Sequence, residues 1–112
     1  MKAYTDIEQS KKLAKILPFK SADMYYREWK RDTKDIRIAH VGTADELDLP
    51  CWSLAALLSV LPMIDFTTPQ LVGTPKTLYR CMYDDNLKSH ACDNPIDACV
   101  EMILKLNKLN LL

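Results

Sequence analysis

The sequence predicts an α+β fold, a single domain over residues 1–112 in which a small antiparallel sheet of four or five strands packs with three helices. Three observations predict it. An apolar run at residues 52–61 is bounded by prolines, amphipathic helical patterns occupy both ends of the chain, and short aromatic or β-branched segments joined by polar turns lie between them. The expected order is α-β-β-α-β-β-(β)-α, and the short connections require neighbouring strands to be antiparallel.

Composition places the chain among folded domains without a strong overall charge. Its 112 residues are 48% hydrophobic and include only two glycines, which argues against disorder. Fifteen basic and fifteen acidic side chains cancel, so no global field attracts nucleic acid or an anionic membrane. No apolar run is long enough for a secretory signal or a membrane span. A cytoplasmic location and four reduced cysteines are therefore expected.

Helices at both ends of the chain are predicted from their capping residues. Thr5 and Glu8 have the T-x-x-E spacing of a capping box, and Pro18 ends the helix that follows. At the other end Asn94 is a strong N-cap and Pro95 suits the first helical position. The final helix places its apolar side chains on one stripe, formed by Ile96, Cys99, Val100, Ile103 and Leu106.

The apolar run at residues 52–61 predicts a central helix that is buried on nearly all sides. Only Ser53 and Ser59 are polar within it, and Pro62 ends it. Its start is open between a cap at Ser53 and a cap at Asp48 with Pro50 in the first turn. The core is expected to centre on Trp52, Leu54, Leu57, Leu58 and Leu61.

Two β-hairpins are predicted, one on each side of this helix. Residues 22–29 and 36–41 form the first, around a polar turn at residues 30–35. Residues 70–72 and 78–83 form the second, around a turn that contains Gly73 and Pro75. Residues 89–92 are a further short strand.

Three segments carry a resemblance to other sequences: TDIEQS at residues 5–10, PCWSLAALL at residues 50–58 and DNPIDACVEM at residues 93–102. In these segments, the three predicted helix starts, the chain resembles a family of small uncharacterised proteins from bacterial genomes and their phages or mobile elements. The resemblance implies a full-length protein of bacterial or phage origin. It implies no activity, ligand or catalytic residue.

Motifs for catalysis, metals and cofactors are weak. His90 and Cys92, with Cys51 and Cys81, lack the close ligand pairs of structural zinc, so no metal and no cofactor is expected. Cys51 is the strongest candidate for a reactive thiol, since a helix N-terminus can lower a thiol pKa, but ordinary packing is favoured. Residues 84–86 are interpreted as a polar turn rather than a calcium loop. No catalytic residue is assigned.

The candidate functional surface is the first hairpin, where basic and aromatic side chains alternate. Such residues are enriched at interface hot spots, so we expect a non-enzymatic accessory protein that acts through protein contacts, with a homodimer as one form. The alternative is a small nucleic-acid-binding module, because aromatic residues between cations can stack bases. Five basic and three acidic side chains between residues 25 and 37 give a local charge of only +2, which disfavours it. The surface comprises Tyr25, Arg27, Trp29, Lys30, Arg31 and Arg37.

Overall fold

A computed structural model describes residues 2–27, 39–45, 48–73 and 78–112. Three α-helices and two small antiparallel sheets form an α+β fold there, which confirms the predicted class. The helices are α1 (Ile7–Ala14), α2 (Leu54–Val60) and α3 (Pro95–Lys108), and a short 3-10 turn covers Phe19–Ser21. The strands are β1 (Met24–Tyr26), β2 (Ala39–Val41), β3 (Leu49–Cys51), β4 (Gln70–Gly73) and β5 (Tyr79–Met82). None of the helices within the described ranges has the length and apolar character needed to cross a bilayer.

The first sheet has three strands in the order β2-β1-β3, and both pairings are antiparallel. Tyr25 lies opposite His40 on one side and opposite Pro50 on the other, so the predicted pairing of β1 with β2 is confirmed. Strand β3 differs from the expectation of a loop or first helical turn around Pro50. Proline cannot donate a hydrogen bond from its backbone nitrogen, but β3 lies at the edge of the sheet, where one side of the strand needs no partner.

The second sheet contains only β4 and β5, which pair from Gln70 opposite Met82 to Gly73 opposite Tyr79. The second hairpin is therefore confirmed, and the expectation of one sheet of four or five strands is wrong. The strands divide because β3 packs on α1, whereas β5 packs on α3. The expected last strand at residues 89–92 is reduced to one isolated bridge, between Tyr79 and Cys92.

Helix α1 begins one residue later than its capping pattern predicts. The side chain of Asp6 accepts a hydrogen bond from the Gln9 amide at 2.8 Å, and the Gln9 side chain accepts one from the Asp6 amide at 3.1 Å. The expected cap at Thr5 is wrong, since Thr5 is fully buried and its hydroxyl contacts the Ser10 hydroxyl at 2.8 Å. The sequence contains two overlapping capping patterns, T-x-x-E and D-x-x-Q, and burial of Thr5 selects the second.

Helix α2 begins after Ser53, whose hydroxyl accepts a hydrogen bond from the Ala56 amide at 3.3 Å, so Ser53 and not Asp48 is the cap. The helix is not buried on all sides. It packs on α3 and on the 3-10 turn through one face, so Leu57 is fully buried while Leu58 is 37% exposed. Of the expected central residues, three are buried, Leu54 is half-buried and Leu58 lies at the surface; the buried three are Trp52, Leu57 and Leu61.

Helix α3 is the centre of the main hydrophobic core. The Asn94 side chain accepts a hydrogen bond from the Asp97 amide at 2.9 Å and Pro95 is the first helical residue, which confirms the predicted start. The helix packs against α2, β5 and α1. It buries seven side chains, more than any other helix of the described chain: Ile96, Ala98, Cys99, Val100, Met102, Ile103 and Leu106. The core is therefore built around α3, and residues 52–61 contribute one wall of it.

Two adjacent leucines of α2 test which face of that helix is buried. We expect Leu57→Ala to lower the free energy of unfolding by about 2–5 kcal/mol, because it removes buried methyl groups and leaves a cavity. Leu58→Ala is the matched control, since it deletes the same atoms from a partly exposed position and should cost about 1 kcal/mol or less. Denaturant unfolding of both variants measures the difference. Equal losses at the two positions would contradict the orientation of α2.

Candidate functional site

The described part of the predicted surface, Tyr25 and Arg27, joins His40 in a cluster on the first sheet, which we call the Tyr25 cluster. Tyr25 and His40 are cross-strand neighbours, and their rings stack with centroids 5.4 Å apart and planes inclined by 22°. The Cζ of Arg27 lies 5.6 Å from the centre of the Tyr25 ring, and its Nη2 donates a hydrogen bond to the Tyr25 hydroxyl at 3.0 Å. The cluster therefore presents an aromatic stack with a cation fixed against it.

Gly42 lets the chain leave β2 close to the Tyr25 ring. Its φ of +139° is a conformation that L side chains rarely adopt, and a Cβ there would lie 3.3 Å from Cε1 of Tyr25. The Gly42 amide also donates a hydrogen bond to the Asp23 carbonyl at 2.9 Å. The end of β2 is therefore fixed beside the start of β1, and the ring of Tyr25 is confined next to it.

Two of the six residues predicted for this surface, Tyr25 and Arg27, lie within the described residues, and they contact each other. The other four, Trp29, Lys30, Arg31 and Arg37, lie outside the described residues, so their part in the surface stays a prediction. The predicted surface did not include His40, which the structure places against Tyr25. The pairing register of the hairpin is the signal that locates it, because residues 25 and 40 lie directly opposite each other.

Strand β2 forms one edge of the three-stranded sheet. His40 is exposed, and Val41 is 85% exposed although its side chain is apolar. An edge strand leaves one row of backbone amide and carbonyl groups unpaired within the sheet. The Tyr25 cluster is thus continuous with an edge that offers backbone hydrogen bonds and an exposed apolar side chain.

A second group of chemically reactive side chains lies beside α3. The Glu101 carboxylate accepts hydrogen bonds from the His90 amide at 3.1 Å and from the Cys92 thiol at 3.4 Å, and it contacts the His90 imidazole. Partial burial disfavours the charged carboxylate, but these bonds outweigh it and hold the pKa of Glu101 below its usual range. Burial and the neighbouring Glu101 raise the pKa of Cys92 to about 11, which opposes formation of a nucleophilic thiolate. The arrangement fastens residues 90–92 to α3.

Cys51 is a packing residue. It is fully buried in β3, and its thiol donates a hydrogen bond to the Thr5 carbonyl at 3.4 Å. Burial raises its pKa, and this outweighs the hydrogen bonds from neighbouring hydroxyl groups that act the other way. The hypothesis that Cys51 gains a lowered pKa from a helix N-terminus is wrong, because α2 begins beyond it and the Ser53 amide donates to Asp23 instead.

The acidic turn at residues 84–86 also has a structural role. One carboxylate oxygen of Asp84 accepts hydrogen bonds from the amides of Asn86 and Leu87, each at 2.8 Å. These bonds close the turn after β5 in the way that aspartate side chains often do. Within the four described ranges, no group of three His, Cys, Asp or Glu side chains is arranged to hold a metal ion.

Asp97 joins the starts of α1 and α3. Its Oδ1 accepts hydrogen bonds from the Lys2 ammonium at 2.9 Å and from the Gln9 amide group at 2.7 Å, and its Oδ2 accepts one from Asn94 at 2.9 Å. Lys2 also pairs with Asp6 at 2.8 Å. Partial burial disfavours the charged form of Asp97, but these donors outweigh it and its pKa lies below the ordinary value.

Comparison with known proteins gives no further guide to the chemistry of this chain. No protein-family model, no curated protein and no solved structure matches it. The resemblance to the bacterial and phage family stays a prediction.

The four cysteines provide one test of these assignments, because the structure contains no disulfide among Cys51, Cys81, Cys92 and Cys99. We expect a thiol-reactive chromogenic reagent to titrate four thiols after denaturation. In the native protein at neutral pH the reaction should be slow, since three of the four are fully buried and the pKa of Cys92 is about 11. A native thiol that reacts as fast as a free cysteine, or fewer than four thiols after denaturation, would contradict the assignments.

The Asp97 network predicts how stability depends on pH. The folded-state pKa of Asp97 lies below the unfolded value near 3.8, so the network stabilises the protein above that value and its contribution is lost as pH falls through the folded pKa. Asp97→Asn should therefore flatten the acid limb of stability against pH. Lys2→Met removes one donor but keeps the carboxylate, so its slope should be intermediate. Denaturant unfolding from about pH 3 to pH 7 measures the free energy of unfolding of each variant as a function of pH. An unchanged acid slope in Asp97→Asn would contradict the prediction.

Proposed function

We propose that the chain is a non-enzymatic accessory protein of the cytoplasm that acts through protein contacts made by the Tyr25 cluster and edge strand β2. The observation that carries the proposal is the preorganisation of the cluster. Tyr25 stacks on His40 and Arg27 is hydrogen-bonded to Tyr25, so three surface side chains are already held in one arrangement. Side chains held in place before binding lose less conformational entropy when a partner docks.

Residue chemistry and strand position favour a protein as the partner. Tyrosine and arginine are among the residue types that carry most binding energy at protein interfaces. Beside them, β2 is an edge strand with Val41 85% exposed, so a partner strand can add to the sheet while Val41 and the cluster select it. A second copy of the chain is one form of this contact, and a different protein is the other.

The state of the thiols supports a non-enzymatic protein in a reducing compartment. All four cysteines are free, as is usual for cytoplasmic proteins. Burial raises the pKa of Cys51, and burial with Glu101 raises that of Cys92. Neither thiol is activated in the way that a nucleophilic cysteine requires.

A second candidate is binding of single-stranded nucleic acid by the same cluster. An aromatic stack beside an arginine is also the arrangement on which bases stack while the cation contacts phosphate. The acidic residues between positions 25 and 37 oppose it, because they reduce the local charge to +2. Protein contact is therefore the better supported of the two.

Oligonucleotide binding separates the two candidates. We expect fluorescently labelled single-stranded DNA and RNA to bind negligibly near physiological salt, about 150 mM, because a local charge of +2 releases few counterions. Fluorescence anisotropy over a salt series measures the affinity. Sub-micromolar binding that weakens steeply with salt, and disappears in the Lys30→Ala, Arg31→Ala double variant, would favour the nucleic-acid module instead.

Site-specific photo-crosslinking tests the protein contact directly. A photoreactive phenylalanine analogue at Val41 should give a discrete crosslinked species in cells that express the protein, while the same analogue at exposed Ser59 should not. Tyr25→Ala should remove the species, and Tyr25→Phe, which keeps the ring but loses the hydrogen bond to Arg27, should weaken it. Absence of any adduct specific to position 41 would overturn the proposal.

A further inference from the structure

A groove lies away from the Tyr25 cluster, between α1, the 3-10 turn and β3. Its volume is about 450 Å³, at the lower end of the range for sites that hold small ligands or single side chains. Four of its lining residues are apolar: Ala14, Phe19, Leu49 and Pro50. Phe19 is 43% exposed at one side of the groove, so part of this apolar lining faces solvent.

The charged residues that line the groove are two lysines and one aspartate. Lys11 lies on α1 and Lys15 is the C-cap residue that follows the helix, and Lys15 has no ion-pair partner in the part of the chain that the structure describes. Lys11 lies 3.6 Å from Glu8 on the exposed face of the helix. Asp48 is only 7% exposed, and its carboxylate accepts a hydrogen bond from the Asp45 amide at 3.0 Å. The groove is therefore apolar, and the lysines at its rim are Lys15 and the ion-paired Lys11.

The second surface in this inference is the tight turn formed by Asp65 and Phe66, whose backbone conformation is unfavourable. Its ends are joined by hydrogen bonds between Ile64 and Thr67 at 3.0 and 2.8 Å. Both central residues have positive φ, 48° for Asp65 and 64° for Phe66, in the type of turn that usually contains Asn-Gly. A left-handed conformation is unfavourable for an ordinary L residue. The side chain that occupies this position is a phenylalanine that is 98% exposed.

We propose that the Asp65–Phe66 turn of one molecule docks into the groove beside Lys11 and Lys15 of a second copy. The two surfaces match in size, because a groove of this volume accommodates a phenyl ring over its apolar lining. They also match in charge, because the Asp65 carboxylate precedes the ring and the rim carries the lysines. Phe66 does not occupy its own groove, since 98% of it is exposed. This contact is separate from the proposed function, because it shares no residue with the Tyr25 cluster.

The turn and the groove are different surfaces, which determines the form of the assembly. One contact joins two molecules head to tail, whereas two reciprocal contacts close a two-fold dimer. A single aromatic side chain buries little surface, so self-association should be weak, with a dissociation constant on the order of 10 µM to 1 mM. The ionic part of the contact should make association weaker as salt rises.

Two variants each remove one half of the contact. Phe66→Asn removes the ring but suits the left-handed turn, and the Lys11→Glu, Lys15→Glu double variant reverses the charge of the rim. Sedimentation velocity over a concentration series should show self-association of the wild type. Each variant should weaken it at least about tenfold. Met63→Ala and Lys12→Glu are matched controls at exposed positions outside the contact, and thermal unfolding checks that all variants fold.

Mixing the two variants gives the sharpest test. Phe66→Asn keeps an intact groove and the double lysine variant keeps an intact turn, so the pair should associate one to one more tightly than either variant associates with itself. Tyr25→Ala should self-associate like the wild type, which separates this contact from the proposed function. A wild type that stays monomeric up to about 1 mM, unchanged association of Phe66→Asn, or variants that fail to associate when mixed would overturn the proposal. A monomeric wild type that binds the capped dipeptide N-acetyl-Asp-Phe-amide would also overturn the assignment of a second copy.

Discussion

Thr5 is the buried residue on which the arrangement of the N-terminal half depends. Its amide and hydroxyl exchange hydrogen bonds with the backbone of Trp52 at 3.0 and 3.1 Å, and its carbonyl accepts the Tyr26 hydroxyl at 2.8 Å. Its hydroxyl also contacts that of Ser10. The side chain and backbone of this one residue therefore connect α1, β1 and the segment between β3 and α2. A buried polar residue of this kind is stable only when its partners are all in place, so it specifies one arrangement of these elements.

Local signals in the sequence locate the elements well but do not choose between neighbouring alternatives. Asn94 is predicted as a cap because its side-chain oxygen can accept from nearby backbone amides, whereas the start of α2 stays open between Ser53 and Asp48 until the structure selects Ser53. Thr5 and Asp6 offer competing caps, and the choice depends on contacts with Trp52 that are 47 positions away. Residues 49–51 form a strand for a similar long-range reason, because they pair with β1 at the edge of the sheet.

The candidate site shows the same division between local and long-range information. Tyr25 and Arg27 were predicted from residue chemistry alone, because aromatic and cationic side chains stand out in a short strand. The stacking of Tyr25 on His40 depends on the pairing register, and the groove beside Lys11 and Lys15 depends on β3 packing against α1. Exposure of Leu58 likewise depends on which face α3 covers, and composition cannot indicate it. Patterns along the chain therefore identify side chains, while packing decides which of them meet.

The buried side chains fall into two clusters of very unequal size, and Ala14 packs against both. Among the residues that the structure describes, the buried centre of the smaller consists of Tyr26, Leu49 and Cys51, whereas the larger includes most of α3. Opening the first sheet exposes little apolar surface and leaves the α3 cluster intact, so it is a local unfolding event of lower free energy than global unfolding. Amides of β1 and β2 would then exchange with solvent deuterium ahead of those in α3. A ligand bound at β2 would slow that exchange. The two clusters, which meet at Ala14, would then unfold together as one cooperative unit.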